Sequence, residues 1–180
     1  MRSSVTGSGE AAVIRRAVAR DAKRLTRLVR TSRAYGGRYA PMVEGYRIGP
    51  DYIETHQVFV AADPATGQVL GFYALIVSPP ELDLLFVGDA AQGLGIGRRL
   101  VDHLREEARR AGLTAVRIVS HPPAEGFYRG VGAEPVGTVL ASPPAVMWDR
   151  PELTLGVGRS VRPHVRSPAA PESRTGRDTS

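Results

Sequence analysis

Glycines recur at alternate positions in Gly93, Gly95 and Gly97, between an apolar segment and an amphipathic one. Residues 81–87 (ELDLLFV) are short and apolar, which predicts a buried strand. The segment after the glycines places small and apolar residues on one face of a helix: Leu100, Leu104, Ala108 and Ala111. A turn between a strand and a helix can direct several backbone N–H groups and the helix dipole at one anion. The stretch therefore predicts a site for a phosphate-bearing ligand.

Spacing separates three kinds of glycine-rich phosphate site. The phosphate-binding loop of nucleotide-hydrolysing enzymes requires GxxxxGK followed by Ser or Thr, and the only lysine in the chain is Lys23. The dinucleotide fingerprint GxGxxG, counted from Gly93, would need its third glycine at Arg98. The pattern that fits is Gln-x-x-Gly-x-Gly, formed by Gln92, Gly95 and Gly97. It resembles the acyl-CoA-binding motif of the GCN5-related N-acetyltransferase (GNAT) superfamily.

A second stretch, HPPAEGFYRGVGA at 121–133, carries the same resemblance. Its matches to the family pattern N-x-x-A-x-x-F-Y-x-x-x-G-F are Ala124, Phe127, Tyr128 and Gly132. His121 replaces the asparagine that commonly contacts pantetheine, and Ala133 replaces the last aromatic residue. In the family the tyrosine lies near the CoA sulfur and often protonates the departing thiolate, so the resemblance makes Tyr128 the candidate general acid. A tyrosine that only packs its helix on the sheet is the alternative.

Two carboxylates, Glu81 and Asp83, occupy alternate positions of the predicted strand and are expected to face the same way. Many GNAT members carry a glutamate near the start of this strand, where it deprotonates the amine, often through water. Glu81 holds the matching position. Two carboxylates beside a cleft raise each other's pKa and can serve as a base. The alternative is that one of them only faces solvent at the strand end.

The resemblance implies acetyl-CoA (coenzyme A) as the cofactor. Backbone N–H groups of Leu85 and Val87 would bind pantetheine and polarise the thioester carbonyl. The amides of residues 93–98 would hold the pyrophosphate, with an arginine beside it. The expected cofactor-binding residues are Leu85, Val87, Gln92, Gly93, Leu94, Gly95, Ile96, Gly97, Arg98, Arg99, His121, Ala124 and Phe127. No metal is expected, because the four histidines lack ligand spacing and the chain has no cysteine.

The order of predicted elements is that of the GNAT fold. The expectation is an α/β (α+β) protein with a central mixed, twisted sheet of six to seven strands, flanked by about four helices. A disordered N-terminus is predicted at 1–10, the acetyltransferase domain at 11–155, and a flexible tail rich in Arg, Pro and Ser at 156–180. The last two strands are expected at 136–140 and 145–148, on either side of a Ser-Pro-Pro turn. The aperiodic segment 34–50, with three tyrosines, is long enough to predict a functional loop.

Charge and composition restrict the other functions. The 180-residue chain has a net charge of +6, half of it in the segment 156–180 with its five arginines. Nucleic acid is therefore not the expected partner of the domain, although a tail that binds it is an alternative. The chain lacks cysteine, an 18-residue apolar run and an apolar signal core, which favours a cytoplasmic protein without membrane contact. A homodimer is compatible with the sequence.

The predicted function is the direct transfer of an acetyl group from acetyl-CoA to a primary amine. A small cationic acceptor is favoured, because the two carboxylates and Glu44 lie among tyrosines whose faces can hold a cation. One alternative is a non-catalytic acyl-CoA-binding or regulatory domain of the same fold. Another is an acetyltransferase that acts on protein N-termini or lysines.

Overall fold

The structure is a computed structural model that describes residues 11–158. These residues form one seven-stranded mixed sheet in the order β1-β2-β3-β4-β5-β7-β6. The strands are β1 Val13–Arg16, β2 Gln57–Ala62, β3 Val69–Ile76, β4 Glu81–Val87, β5 Ala115–Val119, β6 Glu134–Val139 and β7 Arg150–Gly156. The α-helices are α1 Ala22–Arg30, α2 Pro50–Thr55, α3 Ile96–Arg110 and α4 Glu125–Gly130. The expected fold of six to seven strands and about four helices is confirmed.

Two hydrophobic clusters cover the two faces of the sheet. On the face called here the α3 face, α3 buries Leu100 and Leu104 against the sheet, and α4 buries Tyr128 in the same cluster. On the opposite face, called the α1 face, α1 buries Leu25 and Val29 among residues of β2, β3 and β4. The helical spacing of apolar residues predicted the α3 stripe, since periodicity of this kind fixes which side of a helix can be buried.

A gap opens between β4 and β5, the parallel neighbours at the centre of the sheet. Within the described chain these strands pair at one position, Glu81 with Arg117. The register between β3 and β4 also shifts at Ala74 and Leu75. A bulge of this kind bends its strand and interrupts the ladder. Beyond Glu81, β4 therefore diverges from β5 and leaves one of its edges unpaired.

The prediction of a last strand at 145–148 is wrong. Within that segment the described structure has only an isolated bridge, between Val146 and Ser142, and the last strand is β7. The apolar run AVMW led to the prediction, whereas β7 begins with the charged residue Arg150 and with Pro151, a poor strand former. Strand β7 lies between β5 and β6, with antiparallel pairing on both sides.

The expected end of the domain at 155 falls inside β7. Gly156 ends this strand, and Val157 is 1% exposed and donates its N–H to the Thr114 carbonyl at 3.0 Å. The packed fold thus continues to Val157. The predicted N-terminal segment 1–10 and the rest of the predicted tail, from 159 onward, lie outside the described residues. Within 11–158, no helix has the length and apolar character needed to cross a membrane.

Candidate functional site

A cavity of about 670 Å³ lies at the gap between β4 and β5 and is lined from both faces of the sheet. The glycine turn, α3 and α4 line it on the α3 face, with Gly95, Arg98, Phe127 and Tyr128. The segment 32–46 and the start of β7 line it on the α1 face, with Tyr35, Met42, Val43, Tyr46 and Arg150. Two ligands that enter from opposite faces can therefore meet in the gap.

The glycine turn is built as a receptor for an anion. Gly93 and Gly95 have φ of +78° and +74°, values that favour glycine, and Gly95 is the N-cap of α3. The turn is anchored by Gln92, whose Nε2 donates to the Val87 carbonyl at 2.9 Å. Gly97 packs closely against Phe127, since a Cβ there would lie 3.1 Å from that ring, a tighter contact than most Cβ atoms make. The first N–H groups of α3 have no partner within the helix and point at the cavity end of the turn.

The unpaired edge of β4 supplies further donors. Gly88 donates its N–H to the Leu70 carbonyl at 2.8 Å, on the side of β3. Because backbone groups alternate in direction along a strand, the N–H groups of Val87 and Leu85 point away from β3 and into the gap. An extended ligand with amide groups can pair with this edge as a neighbouring strand would.

The two predicted arginines of α3 differ in position. Arg98 lines the cavity and donates to the Gly130 carbonyl at 3.4 Å. Arg99 instead donates to the Ala12 carbonyl at 2.5 Å, on the other side of the helix. Leu94 is 68% exposed at the tip of the turn and is absent from the cavity lining. Of these side chains, Arg98 is the one placed to meet a ligand in the cavity.

Tyr128 is buried, at 8% exposure, and lines the cavity beside Phe127. Its hydroxyl has no hydrogen-bond partner among residues 11–158. Burial raises the pKa of this hydroxyl well above its usual value, so the side chain is neutral at physiological pH. Tyr128 can therefore donate a proton to a group in the cavity but cannot act there as a base in its resting state.

Glu81 and Asp83 both line the cavity, and both have partners. Glu81 accepts from Arg117 Nη1 at 3.2 Å, and Arg117 also binds Glu152 through Nε at 2.6 Å. Asp83 accepts the hydroxyl of Tyr52. Burial, followed by this carboxylate, raises the pKa of Tyr52. Tyr52 and Arg117 both lie on the α1 face, so Glu81 and Asp83 share a face of β4, as their alternate positions predicted.

The bulge interrupts that alternation at Asp83. Leu82 packs in the cluster of the α3 face, whereas Leu84, two residues later, packs in that of the α1 face. In a regular strand these two residues would share a face. Asp83 itself stays on the α1 face, where it reaches Tyr52 of α2, and the bulge reverses the faces of the residues that follow it. This irregularity leaves no signal in the sequence.

His121 is 6% exposed at the end of β5 and lines the cavity. Its Nε2 lies 2.6 Å from the Ala34 carbonyl, which can only accept, so the proton resides on Nε2. The ring stacks on Tyr35 with centroids 4.0 Å apart. Burial lowers the pKa of the imidazole, and its Nδ1 is buried without a partner in the described chain. His121 is thus a neutral residue that fixes the segment above the gap.

The segment 32–46 crosses the gap as an ordered cover. Tyr35 stacks on Phe86 of β4 at 5.5 Å as well as on His121. Tyr39 contacts the Trp148 ring edge-on at 4.7 Å. Burial raises the pKa of Tyr35 to about 12. The sequence predicted a functional loop at 34–50, and that function stays a prediction. It did not predict that these tyrosines join β4 to the β5 and β7 half of the sheet.

One cavity residue, Arg150, was missed by the sequence analysis. It is the first residue of β7, and it lay outside the strand predicted at 145–148. No local motif surrounds it, so its position depends on the correct placement of β7.

Comparisons with known proteins agree with this geometry. Residues 54–132 match the profile of the acetyltransferase (GNAT) domain family. The chain is 35% identical over 78 residues to the 5-NmdU N-acetyltransferase of Pseudomonas phage PaMx11. That alignment covers 41% of this chain and 56% of the phage protein, so the chain spans little more than half of that relative's length.

Solved structures share the fold at low sequence identity. A GCN5-related N-acetyltransferase from Rhodopseudomonas palustris superposes with a TM-score of 0.71 at 16% identity, covering 82% of this chain and 96% of that one. A phosphinothricin acetyltransferase from Sinorhizobium meliloti, in complex with AcCoA, gives 0.63 at 21% identity, with 83% and 90% covered. Residues 54–132 are therefore similar to the acetyltransferase (GNAT) domain family, and the chain has the fold of these solved structures.

Proposed function

We propose that the protein is an acetyl-CoA-dependent N-acetyltransferase that acts on a primary amine of a small acceptor. The observation that carries this proposal is the single cavity lined from both faces of the sheet at the gap between β4 and β5. It connects a glycine turn suited to phosphates with a covered pocket suited to a small second substrate. Direct transfer forms a C–N bond and breaks a C–S bond, so the amine must lose a proton and the sulfur must gain one.

The chain's own groups fit acetyl-CoA, which supplies an activated acyl group as a thioester. The N–H groups of Leu85 and Val87 would bind the pantetheine amides and the acyl carbonyl. The amides from Gly93 to Arg98 would bind the pyrophosphate, with the Arg98 guanidinium beside it. Phe127 and Ala124 would pack against the apolar part of the pantetheine arm. The Sinorhizobium meliloti protein of the same fold, solved with AcCoA, supports this assignment.

The proton donor in this proposal is Tyr128. This side chain is neutral, buried and lines the cavity, and its hydroxyl has no hydrogen-bond partner among the described residues. The base is Glu81 or Asp83, acting directly or through water. To act as the base, Asp83 would exchange its hydrogen bond from the Tyr52 hydroxyl for contact with the amine. Glu81 would have to receive the amine while Arg117 is bound to it or displaced from it. The carboxylates would attract a protonated amine before deprotonating it.

The proposed acceptor presents a cationic primary amine and is small, because the segment 32–46 covers the pocket. Tyr35 and Tyr46 line the pocket on this side, and tyrosine faces can hold a cation. The phage relative is a 5-NmdU N-acetyltransferase. Because the alignment covers 56% of that phage protein, its substrate is not assigned to this chain.

The test combines cofactor binding with turnover. Calorimetry should detect saturable binding of acetyl-CoA, and a library of amines and peptides should include acceptors that release CoA. Mass spectrometry should find an acetyl group added at the acceptor nitrogen. Binding of acetyl-CoA without any amine-dependent CoA release would favour the non-catalytic alternative. Absence of binding would refute the proposal, and peptide hits alone would favour the protein acetyltransferase.

A further inference from the structure

Arg150 lies on the acceptor side of the cavity. It is the first residue of β7, and Glu152, two positions later in the same strand, pairs with Arg117. Leu153 and Leu155, which alternate with these two positions along the strand, pack in the cluster of the α3 face. Because residues at even spacing share a face of a strand, Arg150 belongs to the α1 face together with Glu152. The glycine turn lies on the opposite face, so Arg150 is separated by the sheet from the expected phosphate site.

The guanidinium of Arg150 lacks a counter-ion in the described chain. Within residues 11–158 it makes no ion pair, and its Nε is buried without a hydrogen-bond partner. The neighbouring cation Arg117 differs, because two carboxylates hold it at 3.2 Å and 2.6 Å. Removing a charged donor from water is costly unless a partner replaces the water. A half-buried arginine that lines a cavity therefore favours an anionic occupant.

The acceptor side thus presents two regions of opposite charge. Asp83 and Glu81 are the acidic region, where the proposed amine is received. Arg150 is the basic region, and it influences Tyr35, whose hydroxyl pKa its charge lowers in opposition to the larger effect of burial. An acceptor with only a cationic amine would satisfy the first region and leave the second unpaired.

We infer that the acceptor is an amine that also carries an oxyanion group, a carboxylate or a phosphate, bound by Arg150. This inference rests on the proposed function and specifies its substrate class. A guanidinium is the side chain best suited to such a group, because it binds two oxygens at once through parallel N–H donors. It refines the expectation of a cationic acceptor into one with both charges.

The test uses pairs of acceptors that share an amine and differ in the anion: 4-aminobutanoate with 4-aminobutanamide, and O-phosphoethanolamine with ethanolamine. Rates of CoA release are measured with the full chain, its Arg150→Gln variant and an Arg20→Gln control. Arg20 is exposed and does not line the cavity, so its variant removes the same charge elsewhere. The two pairs distinguish a carboxylate from a phosphate.

At least one of the two anionic acceptors should have a higher kcat/KM than its neutral partner. This ratio of kcat/KM values should fall about 10- to 100-fold in Arg150→Gln, because hydrogen bonds to charged groups usually contribute that much. Arg20→Gln should keep the preference, Arg150→Lys should restore part of it, and acetyl-CoA affinity should not change in any variant. Equal rates within both pairs, or a preference that survives in Arg150→Gln, would overturn the inference and leave the acetyltransferase proposal intact.

Two further outcomes separate the proposals. If acetyl-CoA binds but no acceptor is acetylated, calorimetry with the CoA-loaded protein decides. Saturable binding of an anionic member that Arg150→Gln abolishes would support the inference and favour the non-catalytic alternative, whereas no saturable binding would overturn the inference. If acetyl-CoA itself does not bind, the proposed function and the inference that rests on it both fail.

Discussion

Tyr128 has the properties that a proton donor to a departing thiolate needs. It is held in a fixed position by the packing of α4, its hydroxyl has no competing partner in the described chain, and burial keeps it protonated. The sequence motif already identified this residue, because the four matched positions of the stretch 121–133 lie within one helix and its flanks. Local motifs of this kind are readable from sequence, since their geometry is set by nearby residues.

Replacing Tyr128 by Phe should lower kcat by about 10²–10⁴-fold, the usual contribution of a general acid. The affinity for acetyl-CoA and the free energy of unfolding should change little, because the hydroxyl removed has no partner among residues 11–158. Tyr73→Phe is the matched control. Its buried hydroxyl binds His103 Nδ1 at 2.8 Å, away from the cavity. Turnover of Tyr128→Phe equal to that of this control would return Tyr128 to a packing role.

His121 makes stability depend on pH. Burial lowers its folded pKa below the ordinary value of about 6.5, so just below pH 6.5 the unfolded chain binds more protons than the folded one. The stabilisation from the neutral ring is therefore present above pH 6.5 and lost as the pH falls. Urea unfolding at pH 7.5 and 5.5 should show a smaller loss of stability in His121→Asn than in the unaltered chain. An identical loss would contradict the burial effect.

Other features of the site cannot be predicted from single residues or from local motifs. Arg150 belongs to no local motif, and its position depends on the pairing of β7 with β5, which are far apart in sequence. The bulge in β4 depends on its register with β3. The sequence predicted the candidate base residues and the donor, but it could not predict that Arg117 pairs with Glu81. Such contacts follow from register, which a one-dimensional pattern does not specify.

At the scale of elements, the turn from β4 to α3 is the part most fully predicted from sequence. The apolar run, the glycines and the helical stripe are contiguous, so their order determines the local structure. The glycines nevertheless have different roles. Gly93 and Gly95 adopt left-handed backbone, while Gly97 allows the close approach of Phe127. The two roles can be distinguished only once the position of α4 beside α3 is known.

Replacing Gly95 by Asp should abolish acetyl-CoA binding, because a carboxylate would lie at the site expected to hold pyrophosphate and repel it. Gly112→Asp is a matched control at the other end of α3. Both glycines have similar φ, +74° and +76°, and at both a Cβ has no described atom within 4 Å. Each variant should lose about 1–2 kcal/mol from left-handed strain, and both should remain folded.

Calorimetry with acetyl-CoA separates the two effects of these variants. Gly112→Asp should bind with the affinity of the unaltered chain, since its strain is the same but its location is not. Equal binding by Gly95→Asp and Gly112→Asp would show that the turn at Gly95 does not hold the phosphates. Loss of binding in both would attribute the effect to α3 stability.

At the scale of the whole molecule, the sheet with its central gap is what would bring the two proposed substrates together. The element order predicted the fold through the family resemblance, and the strand at 81–87 and the helix after the glycines lie where the sequence predicted them. The last strands were misplaced because β7 crosses between β5 and β6 and begins with Arg150 and Pro151. Strand β6 lies at the edge of the sheet and contains Pro135. An edge strand tolerates proline because the N–H groups on its outer side have no neighbouring strand to bond.

The end of β7 determines where the chain can be shortened. Val157 is buried, its N–H binds the Thr114 carbonyl, and its own carbonyl accepts from Arg109 at 2.8 Å. Burial of a valine side chain stabilises by about 1.5–3 kcal/mol. A chain that stops at Leu155 lacks these interactions, whereas one that stops at Gly158 keeps them.

A chain ending at Gly158 should therefore melt at the same temperature as the full chain and acetylate a small amine at the same rate. A chain ending at Leu155 should melt roughly 3–12 °C lower, as expected for such a loss in a domain of this size. Differential scanning calorimetry and CoA release on one acceptor measure both quantities. If the chain ending at Gly158 melts as low as the one ending at Leu155, the segment from 159 onward stabilises the fold and is no dispensable tail. If both keep the full melting temperature, the contacts of Val157 do not contribute to stability.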